Sequence, residues 1–122
     1  MTGTSPSSRK FQKELNAGTS ALVLLTLLGR SSKPMYGYEI TKLFGGAGGS
    51  PTMMKQGALY PVLRSLEAKG LLTSSVKPSA SGPPRKYYRI TTEGRTALDE
   101  WREIWTETRK FVDSMLKETD ND

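Results

Sequence analysis

Cysteine and histidine are both absent from this chain of 122 residues. Without cysteine there are no disulfides and no thiolate metal sites. Without histidine there are no imidazole ligands, no Ser-His or Cys-His nucleophile pairs and no histidine general base. Carboxylates are sparse over most of the chain, with only Glu14, Glu39 and Glu67 up to Ile90, so paired-carboxylate catalysis has little to work with. The expectation is a protein that is not an enzyme and needs neither metal nor cofactor. Long apolar runs are lacking as well. The strongest, ALVLLTLL from Ala21 to Leu28, is far short of the roughly twenty residues that span a bilayer. As a signal-peptide core it is also a poor fit, because Glu14 intrudes upstream and Gly29-Arg30-Ser31 offers no small-x-small cleavage pattern. Neither a membrane partner nor export is expected.

What is present is positive charge, unevenly placed. The formal net charge is +6. Met1 to Ile90 hold thirteen Lys/Arg against three Asp/Glu, net +10, whereas Thr91 to Asp122 hold five against nine, net −4. A basic body with an acidic end suggests that the body meets a polyanion, nucleic acid first among them, while the other part does something else. The length fits one domain with an appended element, and a lone core of that size gains from a second subunit.

Along the chain, residues 1–10 read as a disordered tail whose Ser, Thr, Gly and Pro have nothing to bury. Phe11 to Leu28 reads as a core helix, with Gly18 as a break and Thr19 or Ser20 capping its second part. After Pro34, Met35 to Phe44 reads as a short helix with Ile40, Leu43 and Phe44 on one face. Gly45 to Thr52 is a glycine-rich connector; it lacks the Gly-Lys-Ser/Thr ending of a phosphate loop. A third helix spans Gln56 to Lys69 and stops at Gly70. Leu59, Val62, Leu63 and Leu66 turn inward at helical spacing, while Gly57, Pro61, Arg64, Ser65 and Ala68 lie opposite. Pro61 crowds the carbonyl four residues back, and that residue is Gly57, the one best able to yield. Leu71 to Lys77 and Arg85 to Thr91 alternate as antiparallel strands joined by the loop Pro78 to Pro84, with Tyr88 and Ile90 on one face and Tyr87 and Arg89 on the other. A last helix, capped by Thr91 or Thr92, runs to about Lys117, leaving an acidic tail at 118–122.

Helix, strand, basic turn and strand in that order describe a winged helix. The predicted fold is mainly α with a small β-hairpin: a winged helix-turn-helix over residues 11–91 and a long C-terminal dimerisation helix over residues 92–117. The third helix is sized for a major groove, with Lys55, Gln56, Tyr60 and Arg64 as its reading and anchoring side chains. Lys77, Arg85, Lys86 and Arg89 of the wing would meet the flanking phosphates. In the last helix Leu98, Trp105 and Val112 recur every seven residues, as do Trp101, Thr108 and Met115, with Ala97, Ile104 and Phe111 beside them. So wide an apolar face suits a helix that packs on its own domain and on a partner chain, and Leu98, Trp101, Ile104, Trp105, Thr108, Val112 and Met115 are its expected interface residues. Trp101 and Trp105 either pack there or, across a two-fold axis, make a slot for a flat aromatic small molecule.

Three segments, MYGYEI (Met35 to Ile40), GALYPVLRSLEAKGLL (Gly57 to Leu72) and GPPRKYYRITTEG (Gly82 to Gly94), together resemble the PadR family of bacterial transcriptional regulators, in the shorter form with one helix after the wing. The resemblance implies a cytoplasmic homodimer, as a rule a repressor, that binds a palindromic operator on double-stranded DNA and lets go when an effector arrives. It puts Tyr36 and Tyr38 at aromatic positions near the DNA side, and Trp105 where some members hold aromatic ligands between subunits. The chain departs from the family in having Lys55 where a Ser or Thr usually caps the third helix, and Ala58 in place of the usual Thr. The competing reading from the residues is a winged-helix interaction module that sets its basic face against an acidic protein partner.

Overall fold

Ser5 accepts a hydrogen bond from the Ser8 backbone N–H at 3.1 Å, and Pro6, which has no N–H to leave unpaired, follows at the first helical position. With that cap the first helix, α1, runs unbroken from Pro6 to Arg30 in the computed structural model, which describes residues 5–46 and 56–120. The expected tail therefore ends sooner than residue 10, because Ser5 starts a helix that the composition of the segment concealed. Gly18 does not break α1, and Thr19 does not cap: its hydroxyl donates to the Leu15 carbonyl one turn back at 2.9 Å. Burial is confined to the second half of α1, at Ser20, Leu24, Leu25 and Leu28, so the first half projects past the core with Phe11 and Leu15 exposed.

Met35 and Tyr36 form a short strand, β1, where a helix was expected, and α2 begins only at Gly37 and runs to Gly46. Glu39 is the local reason for the boundary: its Oε1 accepts from the Tyr36 N–H at 3.1 Å, the reach-back half of a capping box. The distant reason is pairing of Met35 with Tyr88 and Tyr36 with Tyr87. α3 spans Gln56–Ala68 and keeps Pro61 inside it, four residues after Gly57. Gly70 ends it at φ 79°, with Gly70 N–H on the Glu67 carbonyl and Leu71 N–H on the Leu66 carbonyl, a Schellman cap.

β2 (Leu72–Ser79) and β3 (Gly82–Ile90) are longer than expected and their turn is shorter, since Ser79 already pairs with Gly82. The prolines predicted to be loop lie in the strands at a bulge, between the pairs Lys77–Arg85 and Ser79–Gly82, where ladder N–H groups are dispensable. The sheet is antiparallel with order β1-β3-β2, a third strand added to the expected hairpin. α4 follows as Thr92–Asp120. Leu24, Leu25 and Leu28 of α1, Ile40 of α2, Leu59, Leu63 and Leu66 of α3, Leu72, Tyr88 and Ile90 of the sheet and Leu98 of α4 make one core. Each such side chain contributes about 2 kcal/mol by leaving water.

The junction into α4 is tightly knit. Thr91 Oγ1 accepts from the Gly94 N–H at 2.9 Å and donates to the Gly70 carbonyl at 2.7 Å, and the Thr91 N–H donates to the Leu71 carbonyl at 3.1 Å. One threonine thus caps α4 and ties it to the end of α3.

Candidate nucleic-acid interface

α3 buries Leu59, Leu63 and Leu66 and leaves Ala58, Tyr60, Pro61, Arg64, Ser65 and Ala68 exposed. Its outward side is therefore low in relief, with Arg64 as the cation and Tyr60 as the aromatic. Gln56 opens the helix; Lys55 lies outside the described residues. Tyr60 also has a structural partner. A Cβ added to buried Gly37 would come within 2.9 Å of Tyr60 Cε1 and overlap its ring, so the ring holds α3 against the start of α2. Gly37→Ala is expected to swing the exposed Tyr60 ring aside, with a loss of stability of about 1 kcal/mol, seen as a slightly lower urea midpoint at constant m value.

The outer side of the sheet gathers the cations. Residues on one face of β3 are Arg85, Tyr87 and Arg89, and cross-strand pairing sets Lys77 opposite Arg85 and Tyr36 opposite Tyr87. The Arg85 guanidinium lies 4.5 Å from the centroid of the Tyr36 ring, and Lys77 Nζ lies 5.4 Å from that of Tyr87. Tyr36 in turn meets Tyr87 edge-on at 5.4 Å and stacks with Tyr38 at 6.4 Å, and Lys42 Nζ stands 5.8 Å from the Tyr38 ring. The ring faces draw the cations by their quadrupoles and limit their rotamers, which leaves the charges displayed at set positions. Tyr36, Tyr38, Lys77 and Arg85, each named from the sequence as a candidate DNA contact, are thus brought together in one row. Tyr87 and Lys42 belong to the same row and were missed, although strand alternation places the first and the i, i+4 spacing from Tyr38 places the second. Arg89 is exposed on the same face, opposite Thr73.

Lys86 does not join them. It points to the opposite side of β3, where its Nζ is 3.4 Å from Glu67 Oε1 of α3 and 5.5 Å from the Tyr88 ring centroid. The Ser74 hydroxyl of β2 donates to Glu67 Oε2. That hydrogen bond first, and the Lys86 charge after it, lower the Glu67 carboxyl below its ordinary pKa.

At the other end of the molecule, Trp101, Ile104, Trp105 and Thr108 of α4 face Glu14 to Leu22 of α1 across a groove of about 490 Å³, with Lys69 from the end of α3 on its rim. Leu98, assigned from the heptad to a partner interface, is instead a core residue of its own protomer: it is 7% exposed, and a Cβ on Gly29 would lie 3.1 Å from its Cδ2. α4 comes close to the end of α1 at that glycine, and its heptad face turns inward there. Trp101 also packs on the core. Ile104, Trp105, Val112 and Met115 are exposed, with Phe111 and Leu116 beside them.

A helix-turn-helix, a basic two-stranded wing and a small-residue recognition face define a DNA-binding protein of the winged-helix class. The family model for PadR-like transcriptional regulators matches residues 24–100. An uncharacterised protein of Lysinibacillus sphaericus is 32% identical over 85 residues, covering 70% of this chain and 78% of that protein. The crystal structure of a PadR family transcriptional regulator from Eggerthella lenta superposes with a TM-score of 0.74 at 34% identity, covering 88% of this chain and 89% of that one. The PadR-like transcription factor from Bacteroides fragilis gives 0.70 at 28% identity, covering 87% and 98%. The chain belongs to the PadR family of transcriptional regulators.

Among the described residues no helix is long and apolar enough to cross a membrane.

Proposed function

We propose that the protein is a cytoplasmic homodimeric repressor that binds a palindromic operator and releases it when a flat aromatic molecule enters the groove beside Trp105. The observation that carries this reading is the outer half of α4. Ile104, Phe111 and Leu116 are 61%, 66% and 60% exposed on a helix whose first turns are anchored in the winged-helix core. Apolar surface on that scale favours a second copy, and a copy laid along α4 sets the separation of two recognition helices. Each α3 then enters a major groove while Lys77, Arg85 and Arg89 hold neighbouring phosphates.

Lys69 supports a route for release, since it lies on the groove and within two residues of the Gly70 and Leu71 carbonyls that Thr91 ties to α4. A ligand that moves Trp105 acts on the end of α3 through that tie as well as on the spacing between subunits. The test is sedimentation together with tryptophan fluorescence. The parent chain should sediment as a dimer, and Phe111→Glu with Leu116→Glu should give a folded monomer whose operator affinity falls at least tenfold. A planar aromatic compound should quench tryptophan emission in the parent and not in Trp105→Ala. A parent chain that stays monomeric at micromolar concentration and binds no DNA selected from the source genome overturns the reading.

A further inference from the structure

Lys86 carries a charge of the right sign in the wing, yet it is directed at its own protein. Strand alternation sends Arg85 and Tyr87 outward and Lys86 inward, and there one carboxylate of α3 grips both strands of the wing. Glu67 Oε1 faces Lys86 of β3, and Glu67 Oε2 takes the proton of Ser74 on β2. Ser74 and Lys86 share that face because Ser74 pairs with Tyr88 and Val76 pairs with Lys86. Beyond the pairing of Tyr36 with Tyr87 the sheet narrows to two strands, β2 and β3, out to the turn at Ser79 and Gly82. The ribbon past Lys86 is therefore a lever about 13 Å long at 3.3 Å per residue. A swing of about 10° at its base moves the tip by about 2 Å, enough to break a hydrogen bond to a phosphate.

We propose that Glu67 is a positioning residue for DNA binding: by holding Ser74 and Lys86 together it fixes the angle between the recognition helix and the wing, and Lys86 acts through it rather than on a phosphate. The proposal rests on the DNA-binding reading for its consequence, though not for its geometry. A phosphate-contacting lysine and a positioning lysine behave differently on substitution. Loss of a phosphate contact weakens binding to every sequence and flattens the dependence of log K on log salt by about 0.9. Loss of a positioning residue leaves that slope alone and erodes the preference for operator over other DNA. Removal of the acid Glu67 by itself would, on charge alone, strengthen binding to all DNA.

Two measurements decide it. The chain has no cysteine, so Ser65→Cys on α3 and Ser81→Cys at the wing turn carry spin labels without background. With labelled protein diluted in excess unlabelled protein, the distance between the two labels should be narrowly distributed in the parent and in Lys86→Arg, and clearly broader in Glu67→Gln and in Lys86→Met. In DNA titrations across salt, Glu67→Gln and Lys86→Met should each lower the operator-to-random-DNA ratio about fivefold with the slope unchanged, and the double variant should do no worse than either. An unchanged label distribution in both variants overturns the proposal whatever happens with DNA, as does a slope reduced by about 0.9 in Lys86→Met. A broadened distribution in a protein whose parent form binds no DNA leaves the tie standing and overturns the DNA-binding reading instead.

Discussion

Replacing Arg85 and Lys77 together by alanine should weaken binding to operator and to random duplex alike, by about a hundredfold or more near physiological salt, since each charge-assisted hydrogen bond contributes about 1.5 kcal/mol or more. The slope of log K against log salt should fall by about 1.8, two contacts at about 0.9 each. The two side chains sit opposite each other across the wing and each lies over a tyrosine ring, at 4.5 Å for Arg85 and 5.4 Å for Lys77. The rings explain a companion result. Tyr36→Leu keeps every charge, so the salt slope should hold, yet Arg85 loses the surface that restricts its rotamers and affinity should drop several-fold. Fluorescence anisotropy with a labelled duplex at a series of salt concentrations reads both quantities. If the double alanine variant binds like the parent, Lys77 and Arg85 have no part in DNA binding.

Gly94→Ala is expected to damage the fold severely for the addition of one methyl group, at about 3 kcal/mol, with the urea midpoint lowered in proportion. A Cβ there would overlap the Leu71 carbonyl oxygen and lie 2.7 Å from Ile90 Cγ1. Neither neighbour can give way cheaply. The Leu71 carbonyl accepts from the Thr91 N–H at 3.1 Å, and Ile90 is a core residue at the end of β3. The methyl would push apart the junction in which Thr91 joins α4 to the end of α3. DNA affinity should therefore suffer beyond the loss of folded protein, because the angle of α3 depends on that junction. A loss below about 1 kcal/mol would mean that the backbone at Leu71 yields far more easily than its hydrogen bond suggests.

Much of this protein is legible in its sequence, and the legible parts share a cause. The inward set Leu59, Leu63 and Leu66 repeats with the helix, Tyr88 and Ile90 alternate with the strand, and Gly70 marks the end of α3. Each of these is a property of one element and its own period. The missing histidine and cysteine and the basic body need no fold at all to be read. The segments MYGYEI, GALYPVLRSLEAKGLL and GPPRKYYRITTEG carry the family, and with it the winged-helix architecture.

Other features depend on which element covers which. Met35 and Tyr36 are a strand only because Tyr88 and Tyr87, some fifty residues on, lie alongside them. Heptad spacing marks Leu98 as apolar without saying whose core it enters, and the close approach to Gly29 assigns it to its own protomer. Lys86 counts as a wing cation by composition until Glu67, itself held by Ser74, claims it. The groove at Trp105 has walls from α1 and α4 and a rim residue from the end of α3, three parts of the chain with no common period. Local periodicity tells each helix and strand which side to bury; the identity of the neighbour on that side is a long-range pairing, and only the assembled tertiary structure makes it.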